Sequence, residues 1–243
     1  MKLVENVQAL LNADPQLAKV LNLQGFADFP QLAGALFGQL CNSDAVGNTV
    51  RSVYASDAQL VETTLYDISE TARRNFEPSG QSTTLLFSRG VHAIMAHRVA
   101  YKLWQDGDTN LSLAIKATCG RAFATDIHPA AKIGAGLWLD HGLGFVVGET
   151  AVIDEDVSIW HNVTLGSTLN DSGEHRHPHV RTGAVIGAGA ILLGGITIGA
   201  NANIAAGAVV VKDVPAGMVV VGSKASVRGP ARISFAQPKG TSS

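Results

Sequence analysis

The spacing of apolar residues changes once along the chain, near residue 125. Before that point it is helical. From Ala45 to Phe76 there is no proline and one glycine, Gly47. Val50, Val53, Tyr54, Leu60, Val61, Leu65 and Ile68 recur there at intervals that put them on helix faces. Asp57 is placed to cap the segment AQLVETTLYDI. Glu77, Pro78, Ser79 and Gly80 interrupt the pattern. It resumes through LLFSRGVHAIMAHRVAYKLWQ, stops at Asp106 and Gly107, and returns in NLSLAIKATCGRAF. Residues 1–124 are expected to form an all-helical domain that caps and oligomerises.

From Ile127 the period is six. Ile127, Ile133, Leu139, Phe145, Ala151, Val157 and Val163 form one run, and Val180, Ile186, Leu192, Ile198, Ile204 and Val210 a second. Small residues often follow four positions later, as at Ala131, Ala184, Ala190, Ala202 and Ala208. An α-helix needs a period near 3.6 and an ordinary strand near 2. A hexad headed by an aliphatic residue is the signature of a parallel β-helix, with three hexads to a triangular coil. The fold class expected is α+β: helices, then a left-handed parallel β-helix over 125–222, then a tail over 223–243. The step from Val163 to Val180 predicts about eleven inserted residues, a polar loop near 167–177. Solenoid insertions loop out from one face, often the binding face.

Composition narrows the partners. Eighteen Lys and Arg oppose twenty Asp and Glu, a formal net charge of −2. That balance argues against a non-specific nucleic-acid binder. Two cysteines, Cys41 and Cys119, cannot make a disulfide framework and suit a reducing compartment. No apolar run approaches the ~20 residues of a membrane span, and the N-terminus lacks a signal-peptide core. A cytoplasmic chain is expected.

Six of the eight histidines lie between residues 128 and 179. His141 follows the inward Leu139 by two residues, so it faces outward at a coil corner. Asp126 precedes it by fifteen residues against a coil of eighteen. A carboxylate there could orient an imidazole base, a triad's logic without its own nucleophile. A turn or cap role for Asp126 and Asp140 remains open on these grounds. Arg176 could clamp a carboxylate in a two-toothed hydrogen bond, with His177 beside it. The run HisArgHisProHis is weak evidence for a metal, because no second compact ligand pair accompanies it.

Several segments carry a resemblance to a known family. AspIleHisProAlaAlaLysIleGly (126–134), LeuAspHis (139–141), ValValGlyGluThrAlaValIle (146–153), ValThrLeuGly (163–166), ArgHisPro (176–178) and IleGlyAlaGlyAla (186–190) occur in the order found in serine O-acetyltransferases, hexapeptide-repeat acyltransferases. The likeness runs from about Leu85 to Val214 and includes GlyValHisAla (90–93). It implies acetyl transfer from acetyl-CoA, as co-substrate, to the L-serine hydroxyl, giving O-acetyl-L-serine for cysteine biosynthesis. His141 would be the general base and Asp126 its orienting acid. Asp140, Arg176, His177 and, at the position of a family aspartate, Glu77 would bind the amino acid. Gly166, Ser167, Ala188, Ala206 and Lys212 would line the CoA groove. No metal is implied. The assembly implied is a homotrimer or a dimer of trimers, and L-cysteine is a possible feedback inhibitor.

The chain departs from the family pattern at four places. Glu77-Pro78 replaces Asp-Pro, Ser167 stands where glycine is typical, and 222–226 reads GlySerLysAlaSer. The chain ends ThrSerSer without a C-terminal isoleucine, so no stable cysteine synthase complex is expected. Three other readings compete: an acetyltransferase for a related hydroxy amino acid, a zinc carbonic anhydrase on the same prism, and a non-catalytic β-helix.

Overall fold

Eight α-helices precede fourteen short strands in the computed structural model, which describes residues 2–76, 80–170 and 172–229. The helices are α1 (Lys2–Ala13), α2 (Pro15–Leu21), α3 (Phe29–Leu40), α4 (Asp44–Ser56), α5 (Ala58–Arg74), α6 (Gly80–Phe87), α7 (Arg89–Gln105) and α8 (Thr109–Phe123). The starts of α2 to α5 and α7 are capped by Asp14, Asp28, Ser43, Asp57 and Ser88, each accepting from backbone N–H groups of the first turn. Asp57 also separates α4 from α5, so the helical run of the sequence is two helices. α7 is buried on nearly every side and forms the centre of the helical layer. Ala124, in the left-handed conformation, closes α8, and β1 begins at Asp126.

The strands build a left-handed parallel β-helix with three faces. Sheet A holds β1 (Asp126–Ile127), β4 (Val146–Val147), β7 (Thr164–Gly166), β10 (Ile191–Leu193) and β13 (Val209–Val210). Sheet B holds β2 (Lys132–Ile133), β5 (Val152–Ile153), β8 (His179–Val180) and β11 (Thr197–Ile198). Sheet C holds β3 (Trp138–Leu139), β6 (Ser158–Ile159), β9 (Val185–Ile186), β12 (Asn203–Ile204) and β14 (Val219–Val220). Inside, aliphatic side chains stack in columns such as Ile127, Val147, Leu165, Leu192 and Val210. Each such side chain contributes roughly 1.5–3 kcal/mol by leaving water.

The hexad phase differs from the expected one over the second coil. The inward strand residues there are Val147, Ile153, Ile159 and Leu165. Phe145, Ala151, Val157 and Val163 are buried too, but each lies two residues before them. That is the place Ala131, Ala184, Ala190, Ala202 and Ala208 occupy elsewhere. The cause is a corner with two extra residues. Ile127 stacks on Val147, 20 residues on, whereas Val147 stacks on Leu165, 18 on. Because both positions are apolar, the slip leaves no polar residue facing inward to betray it. The inserted loop shrinks accordingly. Leu165 to Val180 spans 15 residues where the repeat needs six, so nine are inserted rather than eleven.

A buried ion pair fastens the helices to the prism. Arg98 of α7 donates to Asp67 of α5 at 3.0 and 3.2 Å, to the Gly134 carbonyl at 2.6 Å and to that of Ile133. Asp67 accepts in turn from the Gly136 amide at 2.7 Å. Nearer the surface, Arg74 donates to the Val157 carbonyl and pairs with Asp156, both at 3.2 Å. Gly90 of α7 lies against the Leu139 carbonyl, and any Cβ there would overlap that oxygen. Among the described residues, no helix is long and apolar enough to cross a membrane. Glu77 and the terminal residues 230–243, with the ThrSerSer end, lie outside the described residues.

Two histidines of α7 make stability acid-sensitive. Burial pushes the His92 imidazole from 6.5 down to about 4 and that of His97 down to about 3. Unfolded, both bind a proton near pH 6.5, so the unfolded state holds more protons below that pH. Their neutral burial is therefore fully realised above about pH 6.5 and is lost as pH falls towards 4 and 3. The urea midpoint should drop steeply between pH 6.5 and 4, and less steeply in His97→Met, as circular dichroism would show.

Candidate active site

Both departures from the coil length carry residues that the sequence singles out as candidates. The first is the corner between β3 and β4, where Asp140 and His141 lie. His141 has φ +60°, a left-handed conformation that histidine adopts more readily than most residues. The turn is closed by Gly142 N–H donating to the Asp140 carbonyl at 2.7 Å. The imidazole is 66% exposed and its Nε2 stands 3.3 Å from the Asp140 carboxylate. It lines a cavity of about 390 Å³ with Asn75, Thr84, Ser88, Arg89 and Asp140. Asn75 is fixed by the Trp138 indole N–H, which donates to it at 2.8 Å.

His161 stands on the next coil, 20 residues on, and its ring packs edge-to-face on that of His141 with centroids 5.5 Å apart. Its Nδ1 is buried and has no hydrogen-bond partner among the described residues. The sequence pattern passed over His161 because the extra corner residues hid its stacking on His141.

The second departure is the loop after β7, which returns to the corner between β4 and β5. Arg176 pairs with Glu149 and donates to the Gly173 carbonyl at 3.2 Å. The Arg176 guanidinium holds the Glu149 carboxyl below its usual range. His177 Nδ1 accepts from the Thr150 amide at 3.2 Å and lies 2.9 Å from the Thr150 hydroxyl. Its ring lies over Gly148, where any Cβ would overlap Nε2. Gly148, Glu149 and Thr150 belong to a motif quoted for its likeness alone. The structure places them under the returning loop, in contact with Arg176 and His177.

Asp126 lies apart from His141 within the chain. It is 62% exposed and pairs with Lys116 of α8, in a cleft of about 450 Å³ that also includes Gly144 and Val146. The carboxylate touching His141 is Asp140.

The remaining positions sort by edge. Corner hydrogen bonds run from Asn162 N–H to Leu143, from Gly189 to His161 and from Gly207 to Ala188. Ala188 and Ala206 therefore share the edge between sheets C and A with His141. Gly166 ends β7, and Ser167 and Lys212 follow strands of sheet A, so they share the opposite edge with Arg176 and His177. The two sets are separated by the width of sheet A. Its outward column is Asp126, Val146, Thr164, Ile191 and Val209, with the last two 37% and 63% exposed. Among the described residues, no group of three His, Cys, Asp or Glu side chains is arranged to hold a metal ion.

Comparison with known proteins gives a consistent answer. The chain is 39% identical over 229 residues to the serine acetyltransferase of Salmonella typhimurium, covering 91% of this chain and 84% of that protein. It superimposes on the crystal structure of Brucella abortus serine acetyltransferase in complex with coenzyme A with a TM-score of 0.82, at 33% identity, covering 96% and 95% of the two chains. The Neisseria gonorrhoeae serine acetyltransferase in complex with serine gives 0.78 at 37% identity, covering 93% and 95%. No family model matches the chain.

The seating of His177 over Gly148 can be measured directly. Gly148→Ala should destabilise the protein by about 1–3 kcal/mol through overpacking. His177→Ala in the same chain should remove most of that cost, so a double-mutant cycle in urea should show strong coupling.

Proposed function

The chain belongs to the serine acetyltransferase family, and from that premise we propose that it carries the acetyl group of acetyl-CoA to the hydroxyl of L-serine. An alcohol is a poor nucleophile until its proton has somewhere to go. His141 supplies the acceptor. The serine oxygen attacks the thioester carbonyl as its proton passes to the imidazole. The tetrahedral intermediate then collapses, the carbon–sulfur bond breaks, and the departing CoA thiolate takes the proton back. The transient imidazolium forms beside the Asp140 carboxylate and against the His161 ring. Asp126, the orienting carboxylate by family resemblance, would have to leave Lys116 to reach the ring.

Arg176 and His177 suit the amino-acid end. Glu149 and the Gly173 carbonyl each take one N–H of the guanidinium, and its remaining N–H groups can meet a substrate carboxylate. Gly166, Ala188 and Ala206 leave room for an elongated ligand close to backbone, and Lys212 offers charge to phosphates. L-cysteine, with serine's backbone and a similar volume, would compete for the same place. Glu77 and Ser167 are where preference for L-serine over related hydroxy amino acids would be set.

The observation that carries this reading is the division of the site between two edges of sheet A. One chain holds the base on one edge and the arginine on the other. A second copy packed on the exposed Val146, Ile191 and Val209 of sheet A would bring one copy's base to its neighbour's arginine. Three copies close such a head-to-tail ring. Pairing of two rings through the helical domains would give the hexamer.

Two experiments test this. CoA-thiol release should be fast with L-serine and slow with D-serine, L-homoserine, L-threonine or no acceptor. His141→Asn, whose side chain tolerates the left-handed turn, should keep its Tm and lose at least about 100-fold in kcat. A preference for another hydroxy amino acid would move the substrate and keep the mechanism. Retained activity in His141→Asn would overturn the base. For the shared site, His141→Asn and Arg176→Ala chains are each expected to be nearly inactive. Co-refolded in equal amounts, they should regain about a quarter of wild-type activity, the share of sites pairing two intact edges. No recovery would place the whole site within one chain.

A further inference from the structure

The chain has two cysteines, and the fold brings both to one place although they are 78 residues apart. Their sulfurs lie 3.7 Å apart. Cys119 is buried on α8, beside Ile115 and Phe123 of the same face. Cys41 is half-buried and stands at the C-cap of α3, directly before the left-handed Asn42. A disulfide needs its sulfurs ~2.05 Å apart, so the gap must close by about 1.6 Å. A cap residue beside a tight turn can give that distance more readily than a residue inside a packed helix.

We propose that Cys41 and Cys119 form a reversible intramolecular disulfide on exposure to low-molecular-weight disulfides. This is a modification site in the helical domain, separate from the acetyl-transfer chemistry. Cys41 is the entry point because it is the thiol that solvent reaches. The two thiols share a hydrogen bond, which holds the Cys41 thiol below its usual range and raises that of Cys119. The Cys41 thiolate attacks one sulfur of glutathione disulfide. That sulfur–sulfur bond breaks and a glutathione thiolate leaves. The proton given up by Cys41 reaches that thiolate through water; Cys119 then attacks the Cys41 sulfur, and its own proton goes to the second glutathione as it leaves. Two protein thiols are oxidised, and one glutathione disulfide is reduced to two glutathione thiols. The new bond ties the end of α3 to α8, the helix whose Lys116 pairs with Asp126.

The test uses the full-length reduced protein treated with glutathione disulfide, followed by intact mass and non-reducing peptide mapping. Support would be a mass loss of two hydrogens, one peptide joining positions 41 and 119, a thiol count falling from two to none, and full reversal by dithiothreitol. Cys119→Ser should stop at a stable glutathione adduct on Cys41. Three results would overturn the proposal: a lasting glutathione adduct on wild-type Cys41, a disulfide between two chains, or wild-type thiols left unmodified. If Cys119→Ser does not fold, the wild-type peptide map alone decides.

Discussion

Stacking of aliphatic rungs inside the prism is the constraint on which the rest depends. Neighbouring coils lie ~4.8 Å apart, and every strand residue facing inward must meet its counterpart in the next coil. A coil cannot gain residues along a face without turning its inward side chains outward. It can gain them at a corner, where the extra backbone swings into solvent. The chain does so twice, at 140–144 and in the loop between β7 and β8. Those two corners hold His141 and Arg176. The candidate site residues therefore lie where the repeat tolerates irregularity, and the repeat on either side holds them still. The left-handed backbone of His141 is part of the same economy, since a side chain leaving a tight corner stands clear of both faces.

The helical layer contributes position. Arg98 and Asp67 form a buried pair that also takes up two prism carbonyls and one amide. Burying two charges is costly, and such pairs often add little net stability. Here the partners are fixed in direction, because Arg98 meets backbone groups that only the first coil presents. Replacing one member would leave a buried charge unmatched, which is far worse than losing the pair. Gly90 works with it by letting α7 settle directly on β3. One wall of the cavity beside His141 is made this way.

Much of this was legible in the residues. The change of period gave the two architectures, and Asp57, Asp106 and Gly107 mark helix ends in the structure. The phase slip at the first corner was hidden because Phe145 and Val147 are both apolar and both buried. It carried the stacking of His161 on His141 out of sight, and it made the spacing of Asp126 and His141 look closer to one coil than it is. Glu149 and Gly148 were hidden for another reason. Their partners lie across a loop of a length no repeat dictates. The meeting of Cys41 with Cys119 depends on how α3 packs near α8, which no local pattern encodes.

The edge between sheets C and A has a further consequence. His141, His161, Ala188 and Ala206 occupy successive corners along it. Three coil steps separate the first from the last, about 14 Å at the spacing of stacked strands. The prism thus acts as a ruler. An added coil would lengthen this edge by one strand spacing and leave the His141 corner untouched, because that corner is anchored to the helices at the opposite end. Reach along this edge can change in fixed increments while the geometry at the near end stays constant.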